Sequence, residues 1–238
     1  MARTGRTIVG LVLLLAACRD EAADKADRPD KVAAAGIPSD SSAAPAAPAA
    51  PAASAPPAVV FLGTSLTAGL GLDPEDAFPA LVQRKLDSAG RKYTVVNAGV
   101  SGESSAGAVR RIDWILRQRP AVLIIETGAN DGLRGQDADS LEANIQRIID
   151  RVRQQSPSTR IILAGMEALP NLGAEYARRF RRIYPALAAA NRIQLIPFLL
   201  DGVAGVDSLN QQDGIHPNEA GAKVVADNVW RVLRAELK

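Results

Sequence analysis

From Ala58 onward the chain alternates between two hydrophobic patterns, one continuous and one with helical spacing. The segments "VVFL" (59–62), "YTVV" (93–96), "AVLII" (121–125), "RIILA" (160–164) and "IQLIPF" (193–198) are short apolar runs. They are rich in β-branched residues and bounded by Gly, Pro or Asn. A run with little polar alternation has no solvent face, so these five predict strands buried on both sides. Between them the period lengthens. In "FPALVQRKLDSAG" the residues Phe78, Leu81, Val82 and Leu86 share one face of a helix that Gly90 ends, since glycine accepts the left-handed backbone of a helix stop. "SLEANIQRIIDRVRQQ" repeats the pattern with Leu141, Ile145, Ile148, Ile149 and Val152. Strands alternating with helices predict one α/β domain over residues 58–238, with a five-stranded parallel sheet and helices on both faces. No internal repeat is present.

Ahead of that domain the pattern is different. "MARTGRTIVGLVLLLAAC" places Arg3 and Arg6 before an apolar run, Ile8–Leu15, and small residues up to Cys18. This is the layout of a signal peptide, too short for a spanning helix, and it assigns residues 1–17 to a leader. "LAAC" resembles the lipobox of bacterial lipoproteins, in which cleavage precedes the Cys and its sulfur receives a diacylglycerol. Cys18 is the only cysteine, so no disulfide can form within one chain. The expectation is a lipidated Cys18 and a membrane partner reached through that lipid. Ordinary secretion, with Cys18 incidental, is the alternative. Arg19 rather than Asp follows the Cys, which by analogy with lipoprotein sorting points, in an organism that has an outer membrane, to its periplasmic face; a secreted or periplasmic protein is the second reading. Residues 18–57 hold few large apolar side chains, and "SDSSAAPAAPAAPAASAPP" reads as a disordered, proline-stiffened tether. Residues 39–57 would span roughly 60 Å at about 3.1 Å per residue.

Charge removes several partners. The chain has 28 Lys+Arg and 26 Asp+Glu, net +2, and loss of Arg3 and Arg6 with the leader brings this to zero. That balance supplies no field for nucleic acid and by itself does not argue for electrostatic membrane binding by the mature chain, which the acyl chains would anchor. A monomer is expected.

In an open parallel sheet, ligands sit beyond the carboxyl ends of the strands, where loops lead into helices. Three such loops are "GTSLTAG", "NAGVSGES" and "TGANDG"; "DGIHPN" precedes the last helix. His216 is the only histidine of the chain. A serine becomes a nucleophile when a base takes its proton and a third group orients that base. Ser65 can supply the hydroxyl, His216 the base, and Asp213, three residues earlier, the acceptor for the ring N–H. The backbone N–H of Ser65, that of Gly102 and the side-chain amide of Asn130 are candidate donors to an oxyanion. Taken singly, each has an ordinary reading: Ser65 as a helix cap, the others as turn residues. Together, four separate loops supply every part of an acyl-transfer site. "GTSLT" does not fit the α/β-hydrolase elbow, since Thr67 stands where G-x-S-x-G needs glycine.

In these four blocks the chain resembles the SGNH (GDSL-type) hydrolases: Ser65 in the first, Gly102 in the second, Asn130 in the third, and Asp213 with His216 in the D-x-x-H block. "NAGVSGESSAG", "GANDGLRG", "LPNLG" and "DGIHPNEAG" are most similar to the bacterial thioesterase, lysophospholipase and arylesterase branch. The resemblance implies a three-layer α/β/α fold of flavodoxin-like type, no metal, no cofactor, and hydrolysis of small-molecule or single-chain lipid acyl esters. Deacetylation of envelope carbohydrate, or a lapsed enzyme that only binds acyl chains, are the competing readings. One position departs from the family. The residue before the serine is usually Asp and here is Thr64, which puts the rigidity of that loop in question. In the related branch the segment matching "LPN" lines the acyl site, which implies substrate contacts from Leu169, Pro170 and Asn171. The neighbouring Glu167 would add negative charge to the rim.

Overall fold

The computed structural model describes residues 55–168 and 170–237, with the side chain of Pro170 left out. The leader, Cys18 and all but the last residues of the tether lie outside the described residues, as does Leu169. The compact unit runs from Ala53 to Lys238.

Five strands, β1 (Ala58–Gly63), β2 (Thr94–Gly99), β3 (Val122–Glu126), β4 (Arg160–Ala164) and β5 (Gln194–Ile196), form one sheet in the order β2-β1-β3-β4-β5. Every pairing is parallel. Seven helices join or follow them: α1 (Ser65–Ala68), α2 (Phe78–Ser88), α3 (Ser105–Leu116), α4 (Ala129–Leu133), α5 (Ala138–Gln155), α6 (Ala174–Asn191) and α7 (Glu219–Leu233). The chain moves outward from β1 to β2, then back past β1 to β3, β4 and β5. Right-handed crossovers then place α2 on one face of the sheet and α3, α5 and α6 on the other. The helix contacts agree: α7 returns to pack on α2, and α5 lies between α3 and α6. The result is a three-layer α/β/α domain.

The core sits between those layers. Val59, Val60, Phe61 and Leu62 of β1 and Val122, Leu123 and Ile125 of β3 are completely buried, as are Ile145, Ile148, Ile149 and Val152 of α5. The continuous apolar runs and the helical stripe therefore meet in one core. β2 and β5 depart from the buried reading: Thr94, Asn97 and Gln194 are exposed and Val95, Val96 and Leu195 half-buried. Each has a neighbour on one side only and lies at the margin of both helical layers, so solvent reaches it. Helix α2 stops at Ser88, with Gly90 at φ +64° just beyond it.

The order reverses between β1 and β3. Loops leaving these two strands diverge to opposite sides and open a crevice at their carboxyl ends.

Candidate active site

β1 ends at Gly63, Thr64 is extended, and Ser65 begins the four-residue helix α1. Ser65 is thus inside the first turn and is not its cap. The turn is held from below by Glu126, the last residue of β3. Its carboxylate accepts the Thr64 N–H at 2.7 Å, the Thr64 hydroxyl at 2.9 Å and the Thr67 hydroxyl at 2.8 Å. A Cβ on Gly63 would collide with Thr67 Oγ1, so glycine lets the strand end lie against this cluster. Burial raises the Glu126 carboxyl above its usual range, and the hydrogen bonds from Thr64 and Thr67 act against that rise. Thr64, where the resemblance noted above implies Asp, is bound through both its amide and its hydroxyl. The loop is anchored by this route.

Ser65 Oγ lies 2.9 Å from Nε2 of His216, and Nδ1 of His216 lies 2.6 Å from Oδ2 of Asp213. Asp213 Oδ1 also accepts the backbone N–H groups of Ile215 and His216, each at 3.0 Å. These bonds, the His216 side chain first, lower the Asp213 pKa to about 2, so the residue is an acceptor at any working pH. Gly214 takes φ +72° in the turn between the two. Gln211 ties the His216 loop to the serine loop: its amide donates to the Leu70 carbonyl at 2.7 Å and the Pro217 carbonyl at 2.9 Å. Asn218 then caps α7 by accepting the N–H groups of Ala220 and Gly221.

The three candidate oxyanion donors come from three strand ends. The Ser65 N–H, at the first position of α1, has no partner within its helix. Gly102 adopts φ +77°, left-handed backbone that glycine enters without strain, while its carbonyl accepts from Arg134 at 2.9 Å. Asn130 Nδ2 donates to the Glu103 carbonyl at 3.0 Å, which orients its amide beside the Gly102 loop. Glu103 is in turn paired with Arg111 at 2.6 Å, and Arg111 also donates to the Gly63 carbonyl at 3.1 Å. Buried Asp131 accepts the N–H and hydroxyl of Ser105 at 2.8 and 2.5 Å, joining α4 to the start of α3.

Ser65, Gly102, Asn130 and His216 line one cavity of about 580 Å³. Leu66, Leu70, Leu133, Met166, Ala168, Phe198, Leu200 and Ile215 complete most of its wall. Of the segment after β4, Met166, Glu167 and Ala168 reach the cavity. Pro170 and Asn171 belong to a short 3-10 turn, Pro170–Leu172; Asn171 is exposed and is not among the lining residues. Glu167 is paired with Arg181 at 3.0 Å, so its charge is partly matched on the rim. Among the described residues no three His, Cys, Asp or Glu side chains gather where they could hold a metal ion.

Sequence reading overlooked Glu126, Asp131, Arg111 and Gln211. Glu126 had a legible signal, a lone carboxylate ending an apolar strand. The Arg111–Glu103 pair spans eight residues, and the Asp131–Ser105 contact joins two loops 26 residues apart. Neither leaves a pattern in the sequence.

Comparison with known proteins follows the same residues. The GDSL-like lipase/acylhydrolase family matches residues 61–224, more than half of the chain. Esterase TesA of Pseudomonas aeruginosa is 39% identical over 177 residues, covering 74% of this chain and 87% of that protein. Thioesterase 1/protease 1/lysophospholipase L1 of Escherichia coli K12 is 34% identical, covering 74% and 83%. A crystal structure of TesA superposes with a TM-score of 0.72 at 39% identity, over 76% of this chain and 99% of that one. With its parallel sheet, its converging loops and these relatives, the chain belongs to the GDSL-like lipase/acylhydrolase family, whose members of this type are SGNH carboxylic ester hydrolases.

Proposed function

We propose that the chain is a serine esterase of single-chain acyl esters and thioesters. The observation that carries this is the unbroken relay Asp213–His216–Ser65, at 2.6 and 2.9 Å, opening into an apolar cavity. Ser65 Oγ attacks the acyl carbonyl while His216 Nε2 takes its proton. The carbonyl oxygen, now an anion, is met by the N–H groups of Ser65 and Gly102 and the amide of Asn130. His216 returns the proton to the departing alcohol or thiol. Water, activated by the same imidazole, then cleaves the acyl-serine ester. Asp213 fixes the tautomer that leaves Nε2 free to accept, and stabilises the imidazolium.

The cavity wall supports a substrate preference. Leu70, Leu133 and Ile215 line it and are also 47, 45 and 37% exposed, so its mouth as well as its floor is apolar. Two or three methylenes buried there, at about 0.8 kcal/mol each, favour an octanoyl over an acetyl ester by tenfold or more. Leu169, Pro170 and Asn171 follow directly on the lining residues and remain the proposed outer wall of the acyl site. The esterase, thioesterase and lysophospholipase names of the relatives support the same class. The test is kcat/KM for p-nitrophenyl esters from acetyl to palmitoyl, with Ser65→Ala as control. A maximum at medium length, abolished in Ser65→Ala, is expected. A steep maximum at acetyl, unchanged by Leu133→Ala, would favour carbohydrate deacetylation instead.

Lipidation of Cys18 is part of the proposal. It would hold the domain, as a monomer on its Ala/Pro-rich tether, to the periplasmic face of the outer membrane.

A further inference from the structure

All five strands begin at one edge of the sheet, opposite the candidate active site, and the approaches to that edge are basic. Arg91 and Lys92 precede β2, Arg119 precedes β3, Arg160 opens β4 and Arg192 precedes β5. Strand register sets them close to one level: Ala58 is opposite Thr94, and Val122 opposite Arg160. Arg91, Lys92, Arg119 and Arg160 line a single open cleft of about 780 Å³, shared with Pro57 and Ser158, and among the described residues no carboxylate lines it. None of the four side chains forms an ion pair or hydrogen bond among the described residues. Elsewhere Lys85, Arg111, Arg151 and Arg179 are in ion pairs, while Arg110, Arg178 and Lys223 form none among the described residues; what sets the four apart is that they share one cleft. The nearest carboxylate along the chain, Asp87, is engaged by Gln83 at 2.8 Å. Helices α2, α3 and α5 end toward this edge, but the partial negative charge of a helix terminus fades within a turn and does not offset four full charges. Among the described residues the two non-glycine positions with left-handed backbone are Arg119 and Arg192, at φ +48° and +50°, and both stand at this edge.

We infer that this face docks on the anionic headgroup layer of a phospholipid bilayer. Four cations that share an open cleft, with no carboxylate beside them among the described residues, are complementary to a sheet of phosphates. The chain that precedes the domain arrives here, since Pro57 forms part of the cleft wall. The choice of a bilayer as the polyanion rests on the membrane-anchor reading of residues 1–18. Docking by the strand-start edge turns the catalytic mouth away from the surface. The esterase then acts on acyl esters arriving dispersed from the aqueous side, and not on the lipids beneath it.

The test uses the chain from residue 18 onward carrying Cys18→Ser, so that neither the apolar leader nor an acyl group contributes. It is sedimented with vesicles of phosphatidylcholine alone, or with about one-third phosphatidylglycerol. Capture by the anionic vesicles only is expected, fading as salt shortens the reach of the charges. Combining Arg91→Gln, Lys92→Gln, Arg119→Asn and Arg160→Gln should lower partitioning about fivefold per cation, several hundredfold in all. Replacing the three arginines by lysine should preserve it. Unchanged hydrolysis of a soluble p-nitrophenyl ester in both variants reports an intact fold. Equal capture by pure phosphatidylcholine, or undiminished capture of the four-fold variant, would overturn the proposal; the first result would move docking to the apolar catalytic mouth. Binding to heparin without binding to anionic vesicles would overturn it too, in favour of a soluble polyanion. Acyl labelling of wild-type Cys18 is a separate measurement, so failure of the anchor and failure of the docking face are told apart.

Discussion

Glu126 is out of contact with water, yet it is the residue on which the serine turn hangs. Its raised pKa has a definite sign in stability. The contribution is full below the usual carboxyl range and is lost as pH rises through the raised folded value. Glu126→Gln keeps an oxygen for the Thr64 amide and removes the charge, so its melting temperature relative to wild type should climb with pH. A difference that stays constant from about pH 4 to 9 would contradict this. Glu126→Ala strands three donors, at about 1–3 kcal/mol for each left unsatisfied. Asp213 has the opposite sign: its contribution is present above the usual Asp range and lost as pH falls toward about 2. Being 45% exposed, it is screened by solvent, and its effect on stability is correspondingly small. Its effect on catalysis is not, because Asp213→Asn would hold the wrong tautomer of His216 and lower kcat by about 10⁴. Asn130→Ala should lower kcat by about 10²–10³ with KM little changed, since the bond strengthens only as charge develops on the substrate. A raised KM alone would make Asn130 a ground-state contact.

At the scale of elements, the site is a set of short loops braced against one another. Glu126 ties the β1 exit to β3, Arg111 and Glu103 tie it to the β2 exit, and Asp131 ties α4 to α3. The β3 exit is further pinned by Tyr184 of α6, whose hydroxyl donates to the Thr127 carbonyl at 2.9 Å. Gly128, next in the chain, has φ +103°, and a Cβ there would collide with that same hydroxyl. Gly128→Ala should therefore cost more than about 1 kcal/mol and displace Asn130, lowering kcat along with the melting temperature. In Gly128→Ala/Tyr184→Phe the collision is gone while the backbone strain remains, so partial recovery of both is expected. Full additivity of the two changes would show that the hydroxyl is not what the added Cβ strikes.

At the scale of the whole molecule, two opposite ends of the sheet carry different chemistry, an apolar catalytic mouth and a basic strand-start face. The basic face is the one proposed to meet a membrane, and an acyl group on Cys18 would hold it there. Metabolic labelling with a palmitate analogue should mark the wild type and not Cys18→Ser, and high salt should release the variant, held by the basic face alone, from membranes that keep the wild type. A wild type that takes up no label and stays soluble would make ordinary secretion the better reading.

Five apolar runs and two helical stripes were enough to read the sheet and its class, because strands buried on both faces, such as β1 and β3, leave a nearly unbroken apolar run. α6 was harder, with Pro185 inside it, and the solvent contact of β2 and β5 comes from strand order, which no local pattern records. Ser65, Gly102, Asn130, Asp213 and His216 could be named from the sequence because each stands in a short loop of recognisable composition. Their distances could not. The 2.9 Å between His216 and Ser65 joins residues 151 positions apart, and it exists only because parallel strands bring every carboxyl end to one edge. The bracing residues Glu126, Arg111, Asp131 and Gln211 are ordinary charged and polar side chains in the sequence. Tertiary structure alone assigns their partners, because a buried polar group takes whichever donor or acceptor the packing of distant segments leaves beside it.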